Sequence, residues 1–210
     1  MNDRRQRIFL ADLSSFDFAD RHDLKDPTQS NKAKFHDIRS RILSLVLECN
    51  QEELAFAWTD GMPRLVGIDN FCFSTSYSGT KIAVACSDNA IGIDLELTAS
   101  EPADQEVADN LFHPRELDQL RKTADADWAN VFYSIWTQKE AFAKALGTGF
   151  GIEFPAFAVS ANGGLIDGEL IETQNMHWYS KAVKVADNYT LAIAEPGPIE
   201  QLTIEQFQDT

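Results

Sequence analysis

Residues 128–147, WANVFYSIWTQKEAFAKALG, constrain the fold more than any other stretch of the chain. At about 100° per residue, Trp128, Val131, Phe132, Ile135, Phe142 and Leu146 fall on one face, which predicts a helix from about Asp127 to Leu146. Gly147 suits the left-handed cap that ends it. Lys139 projects into the middle of the apolar stripe. An ammonium there either snorkels to water or finds an anionic partner, because desolvating it unpaired is costly.

A second stretch sets the chemistry. In AIGIDLEL, Ala90 to Leu97, the period-two pattern puts Ile91, Ile93, Leu95 and Leu97 on one side. Gly92, Asp94 and Glu96 fall on the other. Two carboxylates side by side on one strand face repel each other unless a cation or solvent separates them. Glu140 lies at the border of the helical stripe, with Trp136 one turn before it and Lys144 one turn after. Two readings stand at this point. Glu140 and Lys144 form an ordinary surface pair of about 0.3–0.5 kcal/mol, or Glu140 points toward Asp94 and Glu96. In the second case three carboxylates make a hard oxygen site suited to Mg²⁺, and Lys144 neutralises a phosphate nearby.

Around these stretches the chain alternates in blocks. Arg39 to Glu48 reads as a buried helix, and LAFAWTDGMPRLVG as a strand, an Asp-Gly turn and an extended continuation in which Pro63 ends regular pairing. KIAVACS and AIGIDLEL read as two strands of a hairpin joined by Ser87-Asp88-Asn89. Helices follow around ADQEVADNLF and PRELDQLRK, the second opened by Pro114. Beyond the long helix, PAFAVSA, GELIETQ, HWYSKAVKVA and YTLAIAEP are strand-like. This order predicts an α+β protein of two similar α/β halves, residues 1–95 and 96–210, meeting near residues 90–100.

Composition narrows the function. With 33 acidic against 18 basic residues, the net charge is −15, which repels nucleic acid and anionic membrane surfaces, so neither is expected as a partner. Basic residues nevertheless bunch at RRQR (Arg4 to Arg7) and NKAKFHDIRSR (Asn31 to Arg41), as a tail and a solvated helix face or as a local anion site. No apolar run is long enough to cross a bilayer, and the N-terminal stretch lacks a signal-like core, so a cytoplasmic location is expected. Cys49, Cys72 and Cys86, odd in number and set among apolar neighbours, read as buried reduced thiols without metal spacing.

Together the two motifs resemble those of the 4′-phosphopantetheinyl transferases, specifically the large monomeric surfactin-synthetase-activator type. The family pattern G-[IV]-D-[ILV]-E stands here as Gly92-Ile93-Asp94-Leu95-Glu96. After about forty residues, W-[ST]-x-K-E-[AS]-x-x-K stands as Trp136-Thr137-Gln138-Lys139-Glu140-Ala141-Phe142-Ala143-Lys144. Both in order, at this spacing, make a specific signal.

The resemblance implies a pseudo-twofold fold of two α+β halves with coenzyme A in the cleft between them. It implies a monomer that moves the phosphopantetheine arm onto a serine of an apo acyl or peptidyl carrier protein, releasing 3′,5′-ADP. By the same resemblance Asp94, Glu96 and Glu140 would bind Mg²⁺, and Lys144 would contact the pyrophosphate. Glu140 or Glu116 would be the base for the serine hydroxyl, and Lys139 would tie the helix to its surroundings. Gly92 would leave room for the pyrophosphate. The family segment SHS stands here as Ser76-Tyr77-Ser78 and the GKP turn as Gly61-Met62-Pro63, so a tyrosine and a methionine replace two coenzyme-binding side chains. Arg41, or else Arg39, matches the arginine that holds the 3′-phosphate. The alternative function is a catalytically weakened module of the same fold that binds a carrier protein or a nucleotide without transfer.

Overall fold

Alternating apolar residues on neighbouring strands build two sheets that share one interior. The computed structural model describes residues 6–18, 27–59, 62–98, 104–147, 151–168, 176–186 and 188–209. In the first sheet, β1 (Arg7–Asp12) lies between β10 (Ile204–Gln206), parallel to it, and β5 (Lys81–Ser87), antiparallel; β4 (Cys72–Ser78) closes the other edge. The second sheet runs β6 (Gly92–Leu97), β9 (Tyr189–Pro196), β8 (Trp178–Val185), β7 (Gly164–Leu165), antiparallel throughout. A separate ribbon pairs β2 (Phe56–Thr59) with β3 (Met62–Leu65).

The layers follow from the side chains. Ile8, Leu10, Ala83 and Ala85 of the first sheet meet Ile93, Leu95, Leu191 and Ile193 of the second in one buried cluster. The opposite face of the first sheet, Phe9, Ile82 and Val84, packs on Phe35, Ile38, Ile42 and Leu43 of α1 (Pro27–Leu47). On the far side of the second sheet, Ala192, Ala194 and Trp178 pack on Phe132, Ile135 and Phe142 of α4 (Asp125–Leu146). The short α2 (Gln105–Leu111) and α3 (Pro114–Arg121) complete that layer through Ala108 and Leu120. The order is helix, sheet, sheet, helix. Strands such as β5 are therefore buried on both faces and read as nearly continuous apolar runs.

The α+β class and the long helix match expectation; Gly147 ends α4 with φ 71°. Four local readings change. Ser87-Asp88-Asn89 does not close a hairpin: β5 has both edges taken by β1 and β4, and β6 pairs with β9. The actual hairpin is β4–β5, turned by Gly79-Thr80 with Gly79 at φ 56°. Pro63 does not end pairing; it stands opposite Trp58 within the ribbon, where both strands are edges and a missing N–H is tolerated. PAFAVSA is not a strand but a short 3₁₀ turn at Phe154–Ala156 followed by a single bridge, Ala158 to Asp167. Strands β1 and β10, unmarked in the sequence reading, flank one another, and Arg7 Nε and Nη2 grip Glu205 at 2.9 and 2.7 Å. Most of GELIETQ and the Asp60-Gly61 turn lie outside the described residues.

Gly92 has a use different from the one expected. A Cβ there would lie 1.8 Å from the Ala141 carbonyl oxygen and 2.6 Å from the Ala145 nitrogen. The glycine lets α4 lie directly on β6; it does not open space for a ligand. Gly92→Ala is expected to force α4 off the strand and lower stability by about 1–3 kcal/mol or more, measured by urea denaturation; an unchanged midpoint would show that the helix can shift at no cost.

Candidate active site

Because α4 lies so close on β6, the next residues along the same strand face emerge at its flank. Asp94 is buried, at 3% exposure. Its Oδ1 accepts from Lys144 Nζ at 2.6 Å and from Ser76 Oγ at 2.9 Å. Lys144 Nζ also donates to Ser76 Oγ at 3.0 Å. Asp94 Oδ2 is buried with no partner among the described residues. Beside it, burial and the Asp94 charge push the Glu96 carboxyl up to about 7, against Lys144 and hydrogen bonds from Trp136 and Ser78 that hold it down. Burial and Asp94 likewise raise Glu140, with Lys144 opposing. The three carboxylates thus share one electrostatic environment, and Lys144 counters part of their charge.

These side chains stand at one end of a cleft of about 630 Å³. Its walls are α1, the β2–β3 ribbon, β4, β6 and α4, the last contributing Trp136, Glu140 and Lys144. Away from the carboxylates the lining turns aromatic and basic. Tyr77, 46% exposed, stacks on Phe35 with ring centres 4.7 Å apart, and the Trp58 indole lies 6.1 Å from the His36 ring. The Arg39 guanidinium carbon sits 4.3 Å above the Phe56 ring, and its buried Nε has no hydrogen-bond partner. Burial and the Arg39 charge lower His36, so its imidazole favours the neutral form.

The geometry sorts the expected residues. Asp94, Glu96, Glu140, Lys144, Ser76, Tyr77 and Arg39 all line the cleft. Arg41 does not: it is bound to Asp37 at 2.8 Å and to Asp209 at 2.6 Å on the outer side of α1. Two residues along a helix is a rotation of about 200°, which is why Arg39 lines the cleft and Arg41 does not. Glu116 is not at the cleft either. It is 1% exposed and accepts from Lys139 Nζ at 2.9 Å and from the Val159 and His113 backbone nitrogens at 2.7 Å each. Three donors hold its carboxylate in place, away from the cleft lining. Lys139 also donates to the Phe157 carbonyl at 2.7 Å, so it ties α4 to its surroundings as expected. Gly61 lies outside the described residues.

Among the described residues, no three His, Cys, Asp or Glu side chains are gathered tightly enough to enclose a metal ion as they stand. The unpartnered Asp94 Oδ2 is the atom in this donor set that calls for a cation. The sequence reading missed Trp58 and His36 as lining residues. It had also not read the alternation of serines at Ser74, Ser76 and Ser78, a period-two signal visible in FCFSTSYSG.

Residues 90–194, which carry both β6 and α4, match the 4′-phosphopantetheinyl transferase superfamily. The chain belongs to that superfamily. It is similar to the 4′-phosphopantetheinyl transferase Sfp of Bacillus subtilis, 26% identical over 80% of this chain and 75% of that one. A second 4′-phosphopantetheinyl transferase of Bacillus subtilis is 28% identical over 70% of this chain and 67% of its own length. A putative 4′-phosphopantetheinyl transferase of Synechocystis is 32% identical over 51% of this chain and 46% of its own. The likeness extends beyond the superfamily match and supports the surfactin-synthetase-activator type within these phosphopantetheinyl transferases. Among the described residues, no helix of this transferase is long and apolar enough to cross a membrane.

Proposed function

We propose that the chain is a Mg²⁺-dependent transferase that moves 4′-phosphopantetheine from coenzyme A to a serine of an apo acyl or peptidyl carrier protein. The observation that carries this is Asp94: a buried carboxylate with one oxygen held by Lys144 and Ser76 and the other bare, beside two carboxyls raised by burial and its charge. In this reading Asp94, Glu96 and Glu140 hold Mg²⁺, which when bound offsets the charge of the coenzyme pyrophosphate.

The chain's own groups do the rest. Lys144, whose side chain is 24% exposed, presents its ammonium to the pyrophosphate and to the charge that develops on the leaving 3′,5′-ADP. Glu140, with its carboxyl raised, accepts the proton of the carrier serine. The serine oxygen bonds to the phosphorus bearing the pantetheine arm, and the bond from that phosphorus to the ADP oxygen breaks. Arg39 and the Phe35–Tyr77 pair receive the nucleotide end.

The fold is read here as two α+β halves in a pseudo-twofold arrangement: α1 on the first sheet and α4 on the second support this, although residue 95 falls within β6, which pairs in the second sheet. The enzyme is proposed to act as a cytoplasmic monomer without nucleic acid or membrane partners, consistent with its charge of −15.

Incubation with coenzyme A, Mg²⁺ and apo carrier proteins of several classes is expected to add one phosphopantetheine to a carrier, read by intact mass, with stoichiometric release of 3′,5′-ADP. Carrier binding without mass gain or ADP release would instead mark a binding module.

A further inference from the structure

Strands β4 and β6 are the facing edges of two different sheets, and backbone pairing does not join them. Serine hydroxyls do. The Ile93 N–H donates to Ser74 Oγ at 3.1 Å, and the Leu97 N–H donates to Ser78 Oγ at 3.0 Å. Between them Ser76 Oγ donates to Asp94 Oδ1 at 2.9 Å, and Ser78 Oγ also donates to Glu96 Oε2, at the longer distance of 3.4 Å. Serines at alternate positions on one strand face reach alternate positions on the other, as the period of two requires.

The middle serine differs from its neighbours in what it bridges. Ser76 Oγ also accepts from Lys144 Nζ at 3.0 Å, so one hydroxyl binds both partners of the Lys144–Asp94 ion pair. Ser76 is 8% exposed and Asp94 3%, which leaves little room for water to replace it. The hydroxyl and the ammonium both approach Oδ1, and Oδ2 is left bare. That asymmetry fixes the carboxylate about its Cβ–Cγ bond, so its unpaired oxygen has one direction only.

We infer that Ser76 is a positioning residue for the metal and pyrophosphate end of the site: it orients Asp94 so that Oδ2 is presented as the ligand oxygen, and it fixes Lys144 beside it. This assigns Ser76 to the carboxylates rather than to the nucleotide end of the coenzyme, and it rests on the proposed Mg²⁺ reading. A hydrogen-bond partner behind a ligating carboxylate typically governs metal affinity by about 10–100-fold. Ser74 serves the seam between the sheets through the Ile93 N–H, whereas Ser78 both accepts from the Leu97 N–H and donates to Glu96, without touching Lys144 or Asp94.

The test is calorimetric titration of Mg²⁺ into the whole chain without coenzyme or carrier, alongside thermal denaturation. Ser76→Ala is expected to weaken Mg²⁺ binding by about 10–100-fold with little change in melting temperature. Ser74→Ala, which leaves the Ile93 N–H of the seam without its acceptor, is expected to lower the melting temperature while keeping the affinity within about twofold. Ser76→Thr, which keeps the hydroxyl, should restore most of the affinity. If wild type binds Mg²⁺ and Ser76→Ala binds it equally well, the positioning role is overturned and the metal reading stands. If Ser74→Ala weakens binding as much as Ser76→Ala, the seam as a whole is responsible and the specific role is overturned. No saturable binding by wild type overturns both readings.

Discussion

Asp94→Asn is expected to lower kcat for phosphopantetheine transfer by about 10²–10³-fold, the loss that follows removal of one preorganised electrostatic group, while leaving the protein folded. Asparagine keeps the shape and the acceptor oxygen facing Ser76 and Lys144, but it removes the charge and puts an amide where Oδ2 is bare. The stability change should be small. Asp94 raises both Glu96 and Glu140, so its charge works against the folded state by repelling two neighbours. Losing it relieves that repulsion, and Lys144, 24% exposed, can turn to water or to the remaining carboxylates. Activity and stability should therefore separate: a large fall in turnover with a melting temperature unchanged or slightly higher. That is the behaviour of a site held together at the expense of stability. Steady-state kinetics with a saturating apo carrier, paired with thermal denaturation, measures both. Turnover within about tenfold of wild type would remove Asp94 from the site.

How much of this was legible follows from the range over which each signal acts. Asp94 and Glu96 could be placed on one face because period two is local to a strand, and Glu140 and Lys144 because i,i+4 is local to a helix. That the two faces meet rested on a resemblance; the packing reason is Gly92, which admits the α4 backbone and was read as space for a ligand. The β5–β6 hairpin failed because turn chemistry reports only on the turn. Ser87-Asp88-Asn89 is a fair connection, but the partner of β6 is β9, about a hundred residues away in sequence. Strand β10 went unseen because it is three residues long and is specified by its parallel pairing with β1 at the other end of the chain. Arg39 and Arg41 show the limit of motif alignment, since an offset of two residues is invisible to a pattern and decisive on a helix.

Lys139 was the other local anomaly, and the structure resolves it into the second large expected effect. The sequence required an anion for the ammonium but could not say which; the partner, Glu116, comes from α3, and both side chains are fully buried. Burial drives each toward its neutral form and their pairing opposes it. Removing one member leaves the other charged and dry, so Lys139→Met is expected to cost about 3–5 kcal/mol. Glu116→Gln should be comparably costly, because it also weakens the bonds that Val159 and His113 give to the carboxylate. The double variant removes both charges and should be clearly more stable than the sum of the single losses. Urea denaturation of the four proteins gives the coupling directly. Additive losses, or a Lys139→Met loss under about 1 kcal/mol, would mean that water or another group compensates the buried charge. The pair also bears on the site without entering it. Lys139 is fixed between Glu116 and the Phe157 carbonyl, which sets the rotation of α4 about its axis. Glu140 is the next residue, about 100° around the helix, and that rotation turns it toward Asp94. A double variant that folds stably but transfers slowly would show that the buried pair is kept for that orientation as well as for stability.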